Sequence, residues 1–221
     1  MSELIPSATV VLLRDTPNGM KVLLLRRNSD IAYGGSWVFP GGRIEPHEFK
    51  AAGNDSLHAA KLAVVRETGE EAGITLTEPD LVYFSHWVTP VIRPKRFSTW
   101  FFLAPVTGKA VQIDGGEIHD FEWHTPVKAL EALREGKIEL RPPTFVTLTQ
   151  LKPFTVVADA LAHFSAREPL LIQPNVVKTA DAIVYLYNGD AGHACQNPEL
   201  PGPRHRLLQK PAGDWEYVFE L

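Results

Sequence analysis

The chain has 221 residues, of which 44% are hydrophobic and 22% are charged, and its formal net charge is −4. This length can bury a core and fits one elaborated domain better than two, and the charge excludes a basic surface for nucleic-acid polymers. Cys195 is the single cysteine, which excludes an intramolecular disulfide and favours a reducing compartment. The chain start lacks a basic region followed by an apolar run, and no stretch approaches the roughly 18 apolar residues that span a bilayer. We therefore expect a cytoplasmic protein without a membrane partner.

Short runs of leucine and β-branched residues open the chain. Residues 8–13 and 21–25 are predicted strands, and the segment DTPNG between them has strong turn chemistry. The two runs therefore predict a hairpin. Arg27 then leads from the second strand into a predicted loop that contains Gly34 and Gly35.

A helix is predicted over residues 56–72. Ser56 can serve as its N-cap and Gly73 as the glycine that ends it. On a helical wheel of about 100° per residue, one stripe is predicted to pack on a sheet, and it consists of His58, Leu62, Val65, Gly69 and Ala72. The glycine in this stripe would let the helix approach the sheet closely.

The remaining segments alternate between strands and helices and end in a turn-rich tail. Further strands are predicted over residues 37–39, 81–88, 97–104 and 118–123. Helices are predicted over residues 126–135, 144–151 and 155–164. The tail has strand-like runs at residues 170–172, 182–186, 205–208 and 215–219.

Three carboxylates stand out on the helix that follows the glycine-rich segment. Glu67, Glu70 and Glu71 are three and four residues apart, so they project from one helix face within reach of a common point. A run of charges on a helix is usually a solvated face, but three such carboxylates also suit a cation. Oxygen ligands favour Mg²⁺ or Mn²⁺ over Zn²⁺, which predicts a metal site.

A longer pattern contains these carboxylates and resembles the signature box of the Nudix hydrolases. Its positions are filled by Gly42, Glu48, Arg66, Glu67, Glu70, Glu71, Gly73 and Ile74. The resemblance implies an α/β fold, a Nudix-type α/β/α sandwich with a mixed, partly antiparallel sheet. It implies a single Nudix hydrolase domain over residues 1–221, with a matched core at 5–151 and a C-terminal elaboration at 152–221.

The sequence departs from the family pattern in two places. Seventeen residues lie between Glu48 and Arg66 where the pattern has seven, so the box contains an insertion of ten residues. The insertion leaves open whether Glu48 contacts the helix. Thr68 replaces an aliphatic residue and is expected to weaken core packing.

The resemblance also implies the reaction and its ligands. Nudix enzymes hydrolyse a diphosphate linked to another group, with Mg²⁺ or Mn²⁺ bound here by Glu67, Glu70, Glu71 and the Gly41 carbonyl. Arg66 would orient Glu67 through a charge-assisted pair. The general base stays open between Glu117 and Glu70.

Substrate contacts are expected from glycine and from cations around the box. Gly42 and Arg27 are candidates, and further candidates for phosphate binding are Arg26, Arg93, Lys95 and Arg96, with Arg96 ranked first. The loop that carries the last three of these cations is equally consistent with a solvated loop.

The segment upstream of the box is similar to the coenzyme A diphosphatase branch of the family, as are Trp87–Pro90 and residues 96–102. This similarity favours a small-molecule substrate, coenzyme A or an acyl-CoA, with ADP-ribose or a nucleotide sugar as the alternative. A ligand sensor without catalysis is the alternative from a different class, and a homodimer is expected from the family.

Overall fold

The computed structural model describes residues 3–28, 35–108, 110–113 and 115–220, apart from the side chain of residue 212. Of the predicted loop at Gly34 and Gly35, the first glycine lies outside the described residues. Among the helices of the described part, none combines the length and the apolar composition that a membrane span requires.

A mixed sheet forms the centre of the molecule. Its strands are β1 (Leu4–Arg14), β2 (Lys21–Arg27), β3 (Ser36–Val38), β4 (Gly41–Arg43), β5 (Val82–Val88), β6 (Arg96–Pro105), β7 (Ile118–His124), β8 (Glu139–Leu140) and β9 (Leu170–Ile172). Their order is β8-β3-β2-β1-β6-β5-β9, while β4 pairs with β1 and β7 pairs with β2. The pairs β1·β6, β3·β8 and β5·β9 are parallel, and the other pairs are antiparallel. The expected mixed, partly antiparallel sheet is therefore confirmed.

Helices cover both faces of this sheet. They are α1 (Pro46–Ala51), α2 (Ser56–Ala72), α3 (Pro126–Arg134), α4 (Pro142–Leu151) and α5 (Val157–Ser165). The side chains of β1 alternate between the faces, because successive residues of a strand point to opposite sides. Val10 and Leu12 pack with α2, whereas Val11 and Leu13 belong to the cluster formed with α3, α4 and α5. This arrangement confirms the predicted α/β/α sandwich.

A second, antiparallel sheet follows β9. It contains β10 (Asn175–Lys178), β11 (Ile183–Leu186), β12 (Arg204–Gln209) and β13 (Trp215–Glu220), paired in chain order. Tyr187 is fully buried, and its ring lies 5.6 Å from the ring of Trp87 on β5. Tyr185 and Leu207 join the same hydrophobic cluster. The tail thus packs against the α3–α5 side of the central sheet.

The predicted helix over residues 56–72 is present, but its details differ from the prediction. Asp55 is the N-cap, since its carboxylate accepts hydrogen bonds from the backbone N–H groups of residues 57 and 58 at 2.8 and 3.0 Å. Gly69 is exposed, and a Cβ there would meet no atom within 4 Å, so its predicted close approach to the sheet is wrong. Thr68 is buried instead, and its hydroxyl donates to the Val64 carbonyl at 2.7 Å, which satisfies a polar atom inside the packing face.

Four short elements were absent from the prediction, namely β4, α1, β8 and β10. Helix α1 lies at the start of the inserted segment. Its N-cap residue Glu45 and Glu48 form a capping box, in which the Glu48 carboxylate accepts the Glu45 N–H at 2.7 Å. Such short elements depend on contacts with their neighbours more than on local periodicity.

Candidate active site

The glycine segment of β4 lies directly against helix α2. Gly41 has φ +149°, and its N–H donates to Oε2 of Glu71 at 2.8 Å. A Cβ at Gly42 would overlap the carboxylate of Glu67. Gly42 therefore allows the backbone of β4 to approach the carboxylates of the helix, whereas Gly41 allows it to lie close to β1, which a Cβ there would overlap.

A buried threonine holds this segment in place. The Thr9 hydroxyl on β1 donates to the Pro40 carbonyl at 2.6 Å, while β1 and β4 pair through Thr9 and Gly41. The strand ladder and this side chain fix the position of the residue that precedes the two glycines. The glycine segment is therefore held from both the sheet and the helix.

Arg66 connects the two halves of the box. Its Nε donates to Glu48 Oε1 at 2.9 Å, and its Nη1 lies 2.9 Å from both Glu67 Oε1 and Glu70 Oε2. Its Nη2 donates to the Arg43 carbonyl at 3.0 Å. Burial opposes the charge of Arg66, but hydrogen bonds to Glu48 and Glu67 raise its pKa overall. The contact expected between Arg66 and Glu67 is present.

Glu48 reaches α2 despite the insertion. Its carboxylate is only 4% exposed and bonds to both Arg66 and the backbone of α1. The insertion therefore does not prevent the contact between Glu48 and α2.

The two inner carboxylates of α2 are poorly solvated. Burial raises the pKa of Glu71 to about 8, although the Gly41 N–H opposes this increase. Burial also raises the pKa of Glu67, with Arg66 opposing it, and the two carboxylates repel each other. A bound cation would offset both the cost of burying these charges and the repulsion between them. This oxygen donor set therefore fits Mg²⁺ or Mn²⁺.

The three glutamates of α2 are not arranged equally. Glu70 is 59% exposed and turned toward Arg66, whereas Glu71 is 6% exposed and faces Gly41. Within the described residues, no three acidic, histidine or cysteine side chains already form a metal-binding group. The structure thus brings Glu67 and Glu71 together at the glycine segment, but it does not bring Glu70 to the same point.

Glu117 lies beside these carboxylates. It immediately precedes β7, its side chain is 61% exposed, and its Oε2 lies 3.3 Å from Nη2 of Arg27. The negative charge of Glu117 is close enough to contribute to the raised pKa values of Glu67 and Glu71. Both Glu117 and Arg27 line the cavity described next.

A cavity of about 1460 Å³ extends from the box to the second sheet. We call its first end the box end, which is lined by Gly41, Gly42, Glu67, Glu70 and Glu71. We call its other end the far end, which is lined by Arg93, Arg141, Tyr185, Gln209 and Trp215. The far end therefore combines a loop, the start of α4 and the second sheet.

The predicted phosphate-binding cations occupy different places. Arg93 and Lys95 line the cavity, while Arg26 is exposed and does not line it. Arg96 is 7% exposed, does not line the cavity, and donates from Nε to the Thr89 carbonyl at 3.1 Å. Arg96 therefore contacts the backbone of the loop that carries Arg93 and does not line the cavity.

Sequence reasoning missed two kinds of residue. Thr9 acts through the backbone of Pro40, and a lone threonine in an apolar strand carries no motif. Tyr185 and Gln209 come from the turn-rich tail, where the strand pattern was visible but its position against the cavity was not. The capping pattern of Glu45 and Glu48 was a local signal that could have identified α1.

Comparisons with known proteins place this site in context. The family model for the NUDIX domain matches residues 4–144. The acyl-coenzyme A diphosphatase NUDT19 of Xenopus laevis is 32% identical over 134 residues, which cover 57% of this chain and 35% of that protein. The putative nudix hydrolase 7 of Caenorhabditis elegans is 22% identical over 223 residues, which cover 86% of this chain and 75% of that protein.

Solved structures share the fold. A NUDIX hydrolase from Alicyclobacillus acidocaldarius superposes with a TM-score of 0.67 at 23% identity, covering 76% of this chain and all of that chain. The chain spans about a third of the length of the NUDT19 proteins that it matches.

Proposed function

This chain belongs to the Nudix family, and we propose that it hydrolyses the diphosphate bond of a nucleoside diphosphate derivative with the help of Mg²⁺ or Mn²⁺. The observation that carries the proposal is the contact between the glycine segment and the poorly solvated carboxylates of Glu67 and Glu71. Glu71 accepts the Gly41 N–H at 2.8 Å, and Gly42 leaves room for Glu67, at one end of a large cavity.

Each residue of the box has a role in this proposal. Glu67, Glu70, Glu71 and the Gly41 carbonyl would hold the cation, although Glu70 must first turn away from Arg66. When bound, the cation neutralises phosphate oxygens and lowers the pKa of a water molecule. Arg66 orients Glu67 through their 2.9 Å contact.

A group near the carboxylates must also accept the proton of the attacking water. Glu117 is our first candidate because it lines the cavity, is exposed and lies near Glu67 and Glu71. Glu70 is the second candidate. Arg27, held at 3.3 Å by Glu117, and Gly42 line the cavity where a diphosphate would lie, and Arg96 would act by supporting the loop above it.

We propose coenzyme A or an acyl-CoA as the first substrate. The support is the similarity to acyl-coenzyme A diphosphatases and the size of the cavity. A volume of about 1460 Å³ exceeds the roughly 300–1,000 Å³ that suits drug-sized ligands, so it suits a long substrate. ADP-ribose and nucleotide sugars are the alternative substrates.

We also propose that the whole chain is one domain. Side chains from residues 157–207 share a hydrophobic cluster with β1, β2 and β6, which supports a common core. In this proposal, residues 152–221 are an elaboration of the core that supplies a wall of the substrate cavity.

A substrate panel tests the proposed function. Purified protein is incubated with coenzyme A, an acyl-CoA, ADP-ribose and nucleotide sugars, with Mg²⁺, Mn²⁺ or EDTA, and released nucleotides are separated by chromatography. We expect adenosine 3′,5′-bisphosphate from coenzyme A with either metal and none with EDTA. Product from ADP-ribose alone would contradict the coenzyme A assignment, and binding without metal-dependent product from any substrate would indicate a ligand sensor.

A further inference from the structure

The far end of the cavity carries positive charge that the hydrolysis of a diphosphate does not require. Arg93 and Lys95 come from the loop between β5 and β6, and Arg141 comes from the start of α4. All three line the same cavity as the box, but they come from other segments of the chain. They therefore offer an anion site in addition to the cation site proposed at the box.

Acidic side chains near this end have partners of their own. Glu139 lies 3.1 Å from Arg141, and Glu135 lies 2.6 Å from Lys137. Among the described residues, no carboxylate forms an ion pair with Arg93 or Lys95. The charge of the loop is thus available to a ligand in the cavity.

A tyrosine from the second sheet holds this region in place. The Tyr185 hydroxyl donates to Gln209 Oε1 at 2.9 Å, and the residue is buried. Burial raises the pKa of Tyr185, whereas the nearby charges of Arg93 and Arg141 oppose the increase. Since the hydroxyl proton is directed at Gln209, the oxygen faces the cations as an acceptor and can position Arg93.

We propose that Arg93, assisted by Lys95 and positioned by Tyr185, binds a phosphate monoester carried by the nucleoside diphosphate substrate, such as the 3′-phosphate of coenzyme A. The inference rests on the proposed function, because the diphosphate must lie at the box end while the additional phosphate reaches the far end. In this proposal, the loop and the second sheet select nucleotides that carry this additional phosphate.

Paired substrates provide the test. Steady-state KM and kcat are measured with coenzyme A and with 3′-dephospho-coenzyme A, which differ only in this phosphate. We expect the wild-type protein to favour coenzyme A by at least about tenfold in kcat/KM, because charge-assisted hydrogen bonds to phosphate are among the stronger ones.

Single substitutions test which residues cause the preference for coenzyme A. Arg93→Ala should raise KM for coenzyme A about tenfold and leave KM for the dephospho compound within about twofold. Tyr185→Phe should shift KM in the same selective way, which loss of structural support alone would not do. Arg26→Ala and Tyr83→Phe are matched controls, because neither residue lines the cavity.

Equal KM values for the two substrates in the wild type would overturn the inference, as would an equal loss for both substrates in Arg93→Ala. Calorimetry separates this result from failure of the proposed function. With Mg²⁺ present, adenosine 3′,5′-bisphosphate should bind about tenfold more tightly than AMP, and Arg93→Ala should remove the difference. This binding ratio decides the inference even if neither coenzyme is hydrolysed.

Discussion

The box end and the far end of the cavity are built in opposite ways. At the box end, residues 41–71 supply the glycines, the carboxylates and Arg66, and each of the four box glutamates accepts a hydrogen bond from within this stretch. At the far end, the lining comes from a loop, the start of α4 and the second sheet, which are far apart in the chain. In our proposals, the box end carries out the reaction and the far end selects the substrate.

The largest expected effect comes from removing an inner carboxylate of the box end. Glu67→Gln should lower kcat by about 10²–10³ with every substrate, because a preorganised charge is lost where the phosphate charge develops. Glu131→Gln, an exposed glutamate of α3, is the control. If Glu67→Gln changed the choice between substrates and left kcat intact, the division of roles between the two ends would be wrong.

A smaller effect is expected from crowding the same carboxylate. In Gly42→Ala the new Cβ would displace the Glu67 carboxylate, and a misplacement of about 1 Å can cost up to about 10²-fold in rate. Gly69→Ala is a matched control on the exposed side of α2, where a Cβ meets nothing within 4 Å. The control should keep full activity and gain up to about 1 kcal/mol in stability. Equal kcat values for the two alanine variants would contradict the close approach of β4 to α2.

Removing the arginine that joins the two halves of the box should affect stability as well as activity. Arg66→Ala leaves the buried Glu48 without its cation, so we expect a loss of about 1–3 kcal/mol in the free energy of unfolding. Chemical denaturation measures it. Adding Glu48→Gln should recover part of the loss, because a neutral amide is less costly to bury. A loss no larger than that of Arg26→Ala would contradict the role of Arg66 as the connector.

The last expected effect is a dependence of stability on pH without metal. Because the pKa of Glu71 is raised from 4.5 to about 8 in the folded protein, its contribution to stability is present below pH 4.5 and lost as the pH rises through 8. In EDTA the melting temperature should therefore fall between pH 5 and about 8.5, and Mg²⁺ should reduce the fall. In Glu71→Gln the melting temperature should depend less on pH. The same pH dependence as in the wild type would refute the burial argument.

The sequence predicted the box end better than the far end, for a physical reason. Glu67, Glu70 and Glu71 belong to one helix, so their spacing determines that they share a face, and the Nudix pattern added Gly41 and Gly42. The helical wheel correctly placed Leu62, Val65 and Ala72 on the packing side, but it wrongly included Gly69. It also left out Thr68, which can be buried because its hydroxyl bonds to the preceding turn. Residue type alone did not reveal that bond.

The far end depends on how distant segments meet, which local patterns do not encode. Strand β11 was visible as an apolar run, but nothing in that run indicated that Tyr185 would lie near Arg93. Arg96 illustrates the same difficulty, because its flanking residues suggested a ligand contact while its side chain is buried against Thr89. Its burial depends on the fold of the whole loop.

The segment between Glu48 and α2, residues 49–55, is a suitable place for attaching a label. The hydrogen bond between Arg66 and Glu48 holds the start of this segment against α2. Gly53 and Asn54 at its tip are exposed and have φ values of 63° and 68°. Exposed tips between fixed ends tolerate added chain. A fluorophore or affinity tag inserted between these two residues should report on the enzyme without disturbing its chemistry, which would make single-molecule labelling or surface attachment straightforward.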